Sequence, residues 1–119
     1  MITVNQVYDT LENALSGIYV TKYYNRINAQ LPCVYFRESH SKLASVTPLD
    51  YGSSAERLYC YIEVYGYDID EIVRTIEDTM SDMYFIEELN EMIPNYDPSI
   101  ERVSMRFQRI ICGGDTLNE

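Results

Sequence analysis

The stretch RLYCYIEVYGYDIDEIVRTIEDTM, Arg57 to Met80, decides the fold, because its hydrophobic period changes partway along. Leu58, Cys60, Ile62 and Val64 alternate with Arg57, Tyr59, Tyr61, Glu63 and Tyr65, the two-residue period of a strand with one apolar face. Beyond it, Ile69, Ile72, Val73, Ile76, Met80 and Met83 recur every three or four residues and gather on one stripe of a helix. The switch falls at YGYD. There Gly66 brings backbone freedom, and Asp68 with Glu71 fits a capping box in which each side chain satisfies an orphan amide of the first turn.

Upstream, Thr3 and Gln6 form a second possible capping box, and Val4, Val7, Leu11, Ala14, Leu15 and Ile18 repeat at helical spacing. This predicts a helix over about residues 3–16, with Gly17 where helices commonly stop. IYVTKYYN (18–25) and LPCVYFRES (31–39) are rich in β-branched and aromatic residues and read as strands. In the second, Cys33, Tyr35 and Arg37 alternate with Val34 and Phe36, and Pro32 suits a strand start or a sheet edge. SHSKLASVTPLDYGSSA (39–55) reads as one long loop, and loops beyond about 12–15 residues are uncommon unless functional or disordered. Its Leu43, Val46, Leu49 and Tyr51 are too scattered for a core element. They suit a loop ordered by contact with a neighbouring molecule.

Downstream, YFIEELNEMI (84–93) fits a strand or a short second helix equally well, and PNYDPS is a turn cluster. In ERVSMRFQRIIC (101–112), Val103, Met105, Phe107 and Ile111 fall on one side of a strand. Arg102, Ser104, Arg106 and Gln108 fall on the other, and Arg109 is placed with that polar set. The remaining GGDTLNE (113–119) reads as a fraying tail. Residues 1–119 therefore predict a small single α+β domain: a mostly antiparallel sheet with two main helices packed on one face, in the order α-β-β-β-α-β.

No apolar run approaches the roughly 18 residues a membrane span needs, and MITVNQVYDT lacks the pattern of a secretion signal. A soluble intracellular protein without a membrane role is expected. Cys33, Cys60 and Cys112 lie far apart in strand-like segments and read as reduced core thiols. The formal charge is −10 and unevenly placed. Residues 1–66 hold six acids and five bases, whereas residues 67–119 hold thirteen acids and four bases. Such a surface repels phosphate backbones and argues against sequence-independent DNA binding.

Motifs for catalysis or cofactors are weak. His40 is the single histidine, read in the loop between Ser39 and Ser41 with no triad to serve. Asp68-x-Asp70 lacks the further ligands and glycine of a calcium loop, and CGGD (112–115) does not lead into a helix as a phosphate loop would. Glu87 and Glu88 read as a solvated pair and not as an acid–base couple. A protein without enzymatic activity, cofactor or metal is expected. Tyr59, Tyr61 and Tyr65, with Arg102 and Arg106 from the last strand, occupy the sheet face away from the helices. That face is either an interface, for which Tyr and Arg are favoured, or a wet surface stabilised by cross-strand aromatic pairs.

The succession of YCYIEVYGYD, IDEIVRTIEDTM and NYDPSIERVSMRFQRIIC, preceded by VNQVYDTLENAL and LPCVYFRES, resembles the tail-terminator and tail-completion proteins of long-tailed bacteriophages. The resemblance implies a structural virion protein in the tail and neck, assembled in the host cytoplasm. It implies a homo-oligomer, commonly a hexameric ring, that meets the tail tube protein on one side and the head connector or an adjacent neck protein on the other. DNA would pass through without specific binding. In that setting Leu43, Val46, Leu49, Tyr51, Tyr59, Tyr61, Tyr65, Arg102 and Arg106 are the candidate contact residues. Asp70, Glu71, Glu77, Asp78, Glu87 and Glu88 are candidates for an acidic channel surface. Two alternatives stand beside this: an acidic mimic of DNA that blocks a nucleic-acid-binding enzyme, and a non-enzymatic dimeric adaptor.

Overall fold

The computed structural model describes residues 4–24, 30–42 and 56–111. The elements run α1 (Val4–Ala14), β1 (Tyr19–Thr21), β2 (Cys33–Lys42), β3 (Glu56–Gly66), α2 (Asp70–Asp82), β4 (Ile86–Met92) and β5 (Glu101–Ile111). The expected order α-β-β-β-α-β is present, and the segment left open between strand and helix is the strand β4. The strands form one five-stranded sheet in the order β1-β2-β3-β5-β4. Only the three-residue pairing of β1 with β2 is parallel; β2–β3, β3–β5 and β5–β4 are antiparallel.

One apolar cluster joins the two helices to one face of this sheet. Val7, Leu11 and Leu15 come from α1 and the turn after it, and Ile69, Val73, Ile76, Met80 and Met83 from α2 and its ends. Val34, Phe36, Leu58, Cys60, Ile62, Val64, Val103, Met105 and Phe107 come from the strands. The alternation read along Arg57–Tyr65 is thus the division between core and open face, because each residue of β3 is flanked on both sides by partners of the same facing. Tyr8 ties α1 to the sheet: its hydroxyl donates to the Val20 carbonyl at 3.0 Å and its ring meets Phe36 edge-on at 5.8 Å.

The turn from β3 into α2 differs from the expected capping box. Ile69 is the N-cap residue and no side chain caps the helix. Asp68 adopts a left-handed conformation, φ 50°, and its amide donates to Glu101 Oε1 at 2.8 Å, so β5 takes up a group that the box would have used locally. Asp70 and Glu71 still lie in the first turn, where the helix dipole favours them. Gly66 is needed for close approach. A β-carbon there would stand 3.0 Å from Pro32 Cβ and 3.1 Å from Ile69 Cγ2. Pro32 directly precedes β2, the position anticipated for it, after a cis Leu31–Pro32 bond.

At the other end, β2 extends further than its apolar residues indicated. Residues 39–42, expected in the long loop, continue the ladder with Glu56 to Tyr59. His40 therefore lies on a strand, opposite Leu58, while its neighbour Ser39 is opposite Tyr59 on the other face. Its Nδ1 is 3.3 Å from Glu56 Oε2. The expected loop contacts Leu43, Val46, Leu49 and Tyr51, together with Thr3, Cys112 and the tail 113–119, lie outside the described residues.

Candidate interaction surface

The sheet face turned away from the helices is built in rungs by the strand register. Arg37, Tyr61 and Arg106 lie side by side across β2, β3 and β5, with Ser39, Tyr59 and Gln108 one rung along. In the other direction come Tyr35, Glu63 and Ser104, then Cys33, Tyr65 and Arg102. One arginine–aromatic contact and two tyrosine pairs organise the surface. The Arg37 guanidinium sits 4.1 Å from the Tyr61 ring centre, and that ring stacks on Tyr59 at 6.3 Å. Tyr24, from the segment after β1, meets Tyr35 edge-on at 5.7 Å. Tyr24, Tyr35, Arg37, Tyr61, Glu63 and Ser104 line a shallow depression of about 220 Å³.

Two acids of this face, Glu63 and Glu88, are taken up locally. Arg102 Nη2 donates to Glu63 Oε2 at 2.7 Å, the Tyr65 hydroxyl donates to Glu63 Oε1 at 2.8 Å, and Arg106 Nε donates to Glu88 Oε1 at 3.1 Å. Glu63 thereby becomes the anchor of the rung above it. Tyr65 differs from its expected role. It is only 4% exposed, held between Glu63 and the Arg102 guanidinium, and is a buried support and not a contact residue. Burial, then the bond and charge of Glu63, push its hydroxyl well above the ordinary tyrosine range.

Arg109 also departs from expectation. It is 8% exposed and lies on the helix-facing side, where Nη1 donates to the Met83 carbonyl at 2.9 Å at the end of α2 and the guanidinium stands 5.6 Å from the Tyr84 ring. Period-two counting from Val103 puts Arg109 there. Its charge alone suggested otherwise. Tyr59, Tyr61, Arg102 and Arg106 do share the open face as expected, and Arg37, Tyr35 and Glu63 join them. Arg37 and Tyr35 were visible as the polar phase of β2, but only the pairing of β2 with β3 places them beside Tyr61 and Glu63.

The six acids considered for a channel are not one surface. Asp70, Glu71 and Asp78 are exposed on α2 and Glu77 is half-buried there. Glu87 lies opposite Phe107 and hence on the helix side of the sheet. It hydrogen-bonds the Glu77 carboxyl, while Asn90 Nδ2 donates to Glu77 Oε2 at 3.1 Å. Burial, followed by Glu77, raises the Glu87 pKa. The register shift between Glu87 and Leu89 then turns Glu88 to the opposite face, onto Arg106.

Cys33 and Cys60 are buried free thiols, and burial pushes them up to about 11 and about 12 respectively. Neither is a thiolate at neutral pH. Among the described residues no cluster of His, Cys, Asp or Glu is arranged to hold a metal, and no helix is long and apolar enough to cross a membrane. No protein-family model and no curated protein matches the chain.

Proposed function

We propose that the chain is a structural subunit of a bacteriophage tail, a terminator or completion protein that joins the tail tube to the head connector as a ring around the DNA passage. The observation that carries this reading is the sheet face itself. Four strands leave an arginine and tyrosine surface uncovered by either helix, and two of its acids, Glu63 and Glu88, are already engaged, so it is composed and organised as a contact surface. The resemblance of the element order to these proteins supports the same reading. An acidic surplus fits a passage for DNA, since phosphates that slide past gain no attraction to hold them.

Native mass spectrometry of the chain, alone and mixed with a tail tube protein from the same phage, tests the proposal. Six copies in a closed assembly, free or on the tube, are expected. A monomer or dimer under both conditions overturns it and favours the adaptor or the DNA mimic, which competition with DNA for a basic enzyme then separates.

A further inference from the structure

The two broad faces of the molecule carry opposite character. Helix α1 holds two acids and no base, and α2 holds five acids and one base, Arg74. Asp9, Glu12, Asp70, Glu71, Asp78 and Asp82 are exposed. On the open sheet face four arginines, Arg37, Arg57, Arg102 and Arg106, stand with three glutamates, Glu63, Glu88 and Glu91. Glu63 and Glu88 are bound by Arg102 and Arg106, whereas Arg37 is exposed and lies flat on Tyr61.

We infer that this sheet face binds the acidic outer surface of α2 in a second copy of the chain, so that subunits join head to tail. This inference rests on the ring reading for the closure of the assembly, and it names the two patches that meet. The charge distribution selects the pairing. Copies of a chain with a net charge of −10 repel one another overall. Helix against helix sets carboxylates on carboxylates, which is disfavoured, whereas sheet against sheet meets four arginines and three glutamates on each side and gains little from charge. Sheet against helix sets the arginine excess of the sheet face, with Arg37 exposed, against the five acids and one base of α2, and Tyr59 and Tyr61 supply contact area between them. It joins unlike patches head to tail, an arrangement that closes into a ring where the rotation between copies allows and otherwise runs on as a filament.

Sedimentation at low salt, up to about 1 mM protein, tests the inference with two charge-reversed variants. Arg37→Glu changes the sheet face. Asp78→Lys with Asp82→Lys changes α2, and lysine in the last turn of a helix complements its dipole, so this variant keeps the fold. Each variant alone should associate at least about tenfold more weakly than the wild type, because like charges then meet at every contact. An equimolar mixture should reassemble, since each variant restores the other's missing complement. Unchanged association of the α2 variant overturns the inference and leaves the ring reading intact. A mixture that stays dissociated also overturns it, as does a wild type monomeric throughout the range, and the ring reading is then judged by the mass bound to tail tubes.

Discussion

Tyr65 shows how one side chain changes role with its surroundings. By alternation it belongs with Tyr59 and Tyr61, yet its hydroxyl is committed to Glu63, and Arg102 closes over both. Tyr65→Phe should therefore lower stability by about 1 kcal/mol, the ordinary loss for one hydrogen bond, measured by urea denaturation at pH 7. The sign with pH follows from the raised pKa. An unfolded tyrosine ionises at 10.0 and the folded one only above that, so the stabilising difference is present below pH 10 and lost as pH rises further. Wild type and Tyr65→Phe should converge in alkali. Arg109 makes the reverse point: a cation that reads as surface donates to the carbonyl of Met83, the C-cap residue of α2, where a helix end leaves acceptors without partners.

At the scale of elements, β3, α2 and β4 are joined by two tight arrangements. Gly66 lets the chain turn against Pro32 at the start of β2, and Gly66→Ala should cost on the order of 1–3 kcal/mol, because the added methyl meets both Pro32 and Ile69 and neither can yield freely. Thermal unfolding followed by circular dichroism measures it. The second arrangement is the carboxyl pair between α2 and β4. Glu87 holds its proton above the ordinary 4.5, so its contribution is fully present below that pH and is lost as pH rises through the raised value. Glu87→Gln keeps position 87 neutral at all pH and so removes its repulsion with Glu77. Its midpoint should exceed that of wild type at pH 7 and match it near pH 4; Glu87 is exposed, so water screens the effect to under ~1 kcal/mol. The same strand carries its acids along a sheet edge that is unpaired among the described residues, a device that discourages strands of other molecules from adding there.

For the whole molecule, a single apolar cluster runs through both helices and the central strands, so no part of the described fold has a core of its own. Unfolding should be one cooperative transition, with circular dichroism and tyrosine fluorescence giving the same midpoint. Non-coincident curves would show that a helix can leave the sheet separately. The same layering separates the charges. Helices on one side present carboxylates and the bare sheet presents arginine and tyrosine, and this polarity exists only once the layers are assembled.

Much of this was legible in the chain. The period-two run at Arg57–Tyr65 and the three-and-four spacing after Ile69 fixed β3, α2 and the facing of their apolar residues, because those periods follow from backbone geometry alone. The face of Tyr59 and Tyr61 followed from the same rule. The strand nature of 86–92 did not, since its apolar residues are few and its pairing with β5 includes a register shift that no local period encodes. The capping of α2, the burial of Tyr65, the placing of Arg37 beside Tyr61 and the division of the acids between two surfaces were decided by tertiary structure. Each depends on a residue from another element, Glu101 for Asp68, Arg102 for Tyr65, Tyr61 for Arg37 and Arg106 for Glu88, and a linear pattern records which side of an element a residue occupies but not what is brought to stand against it.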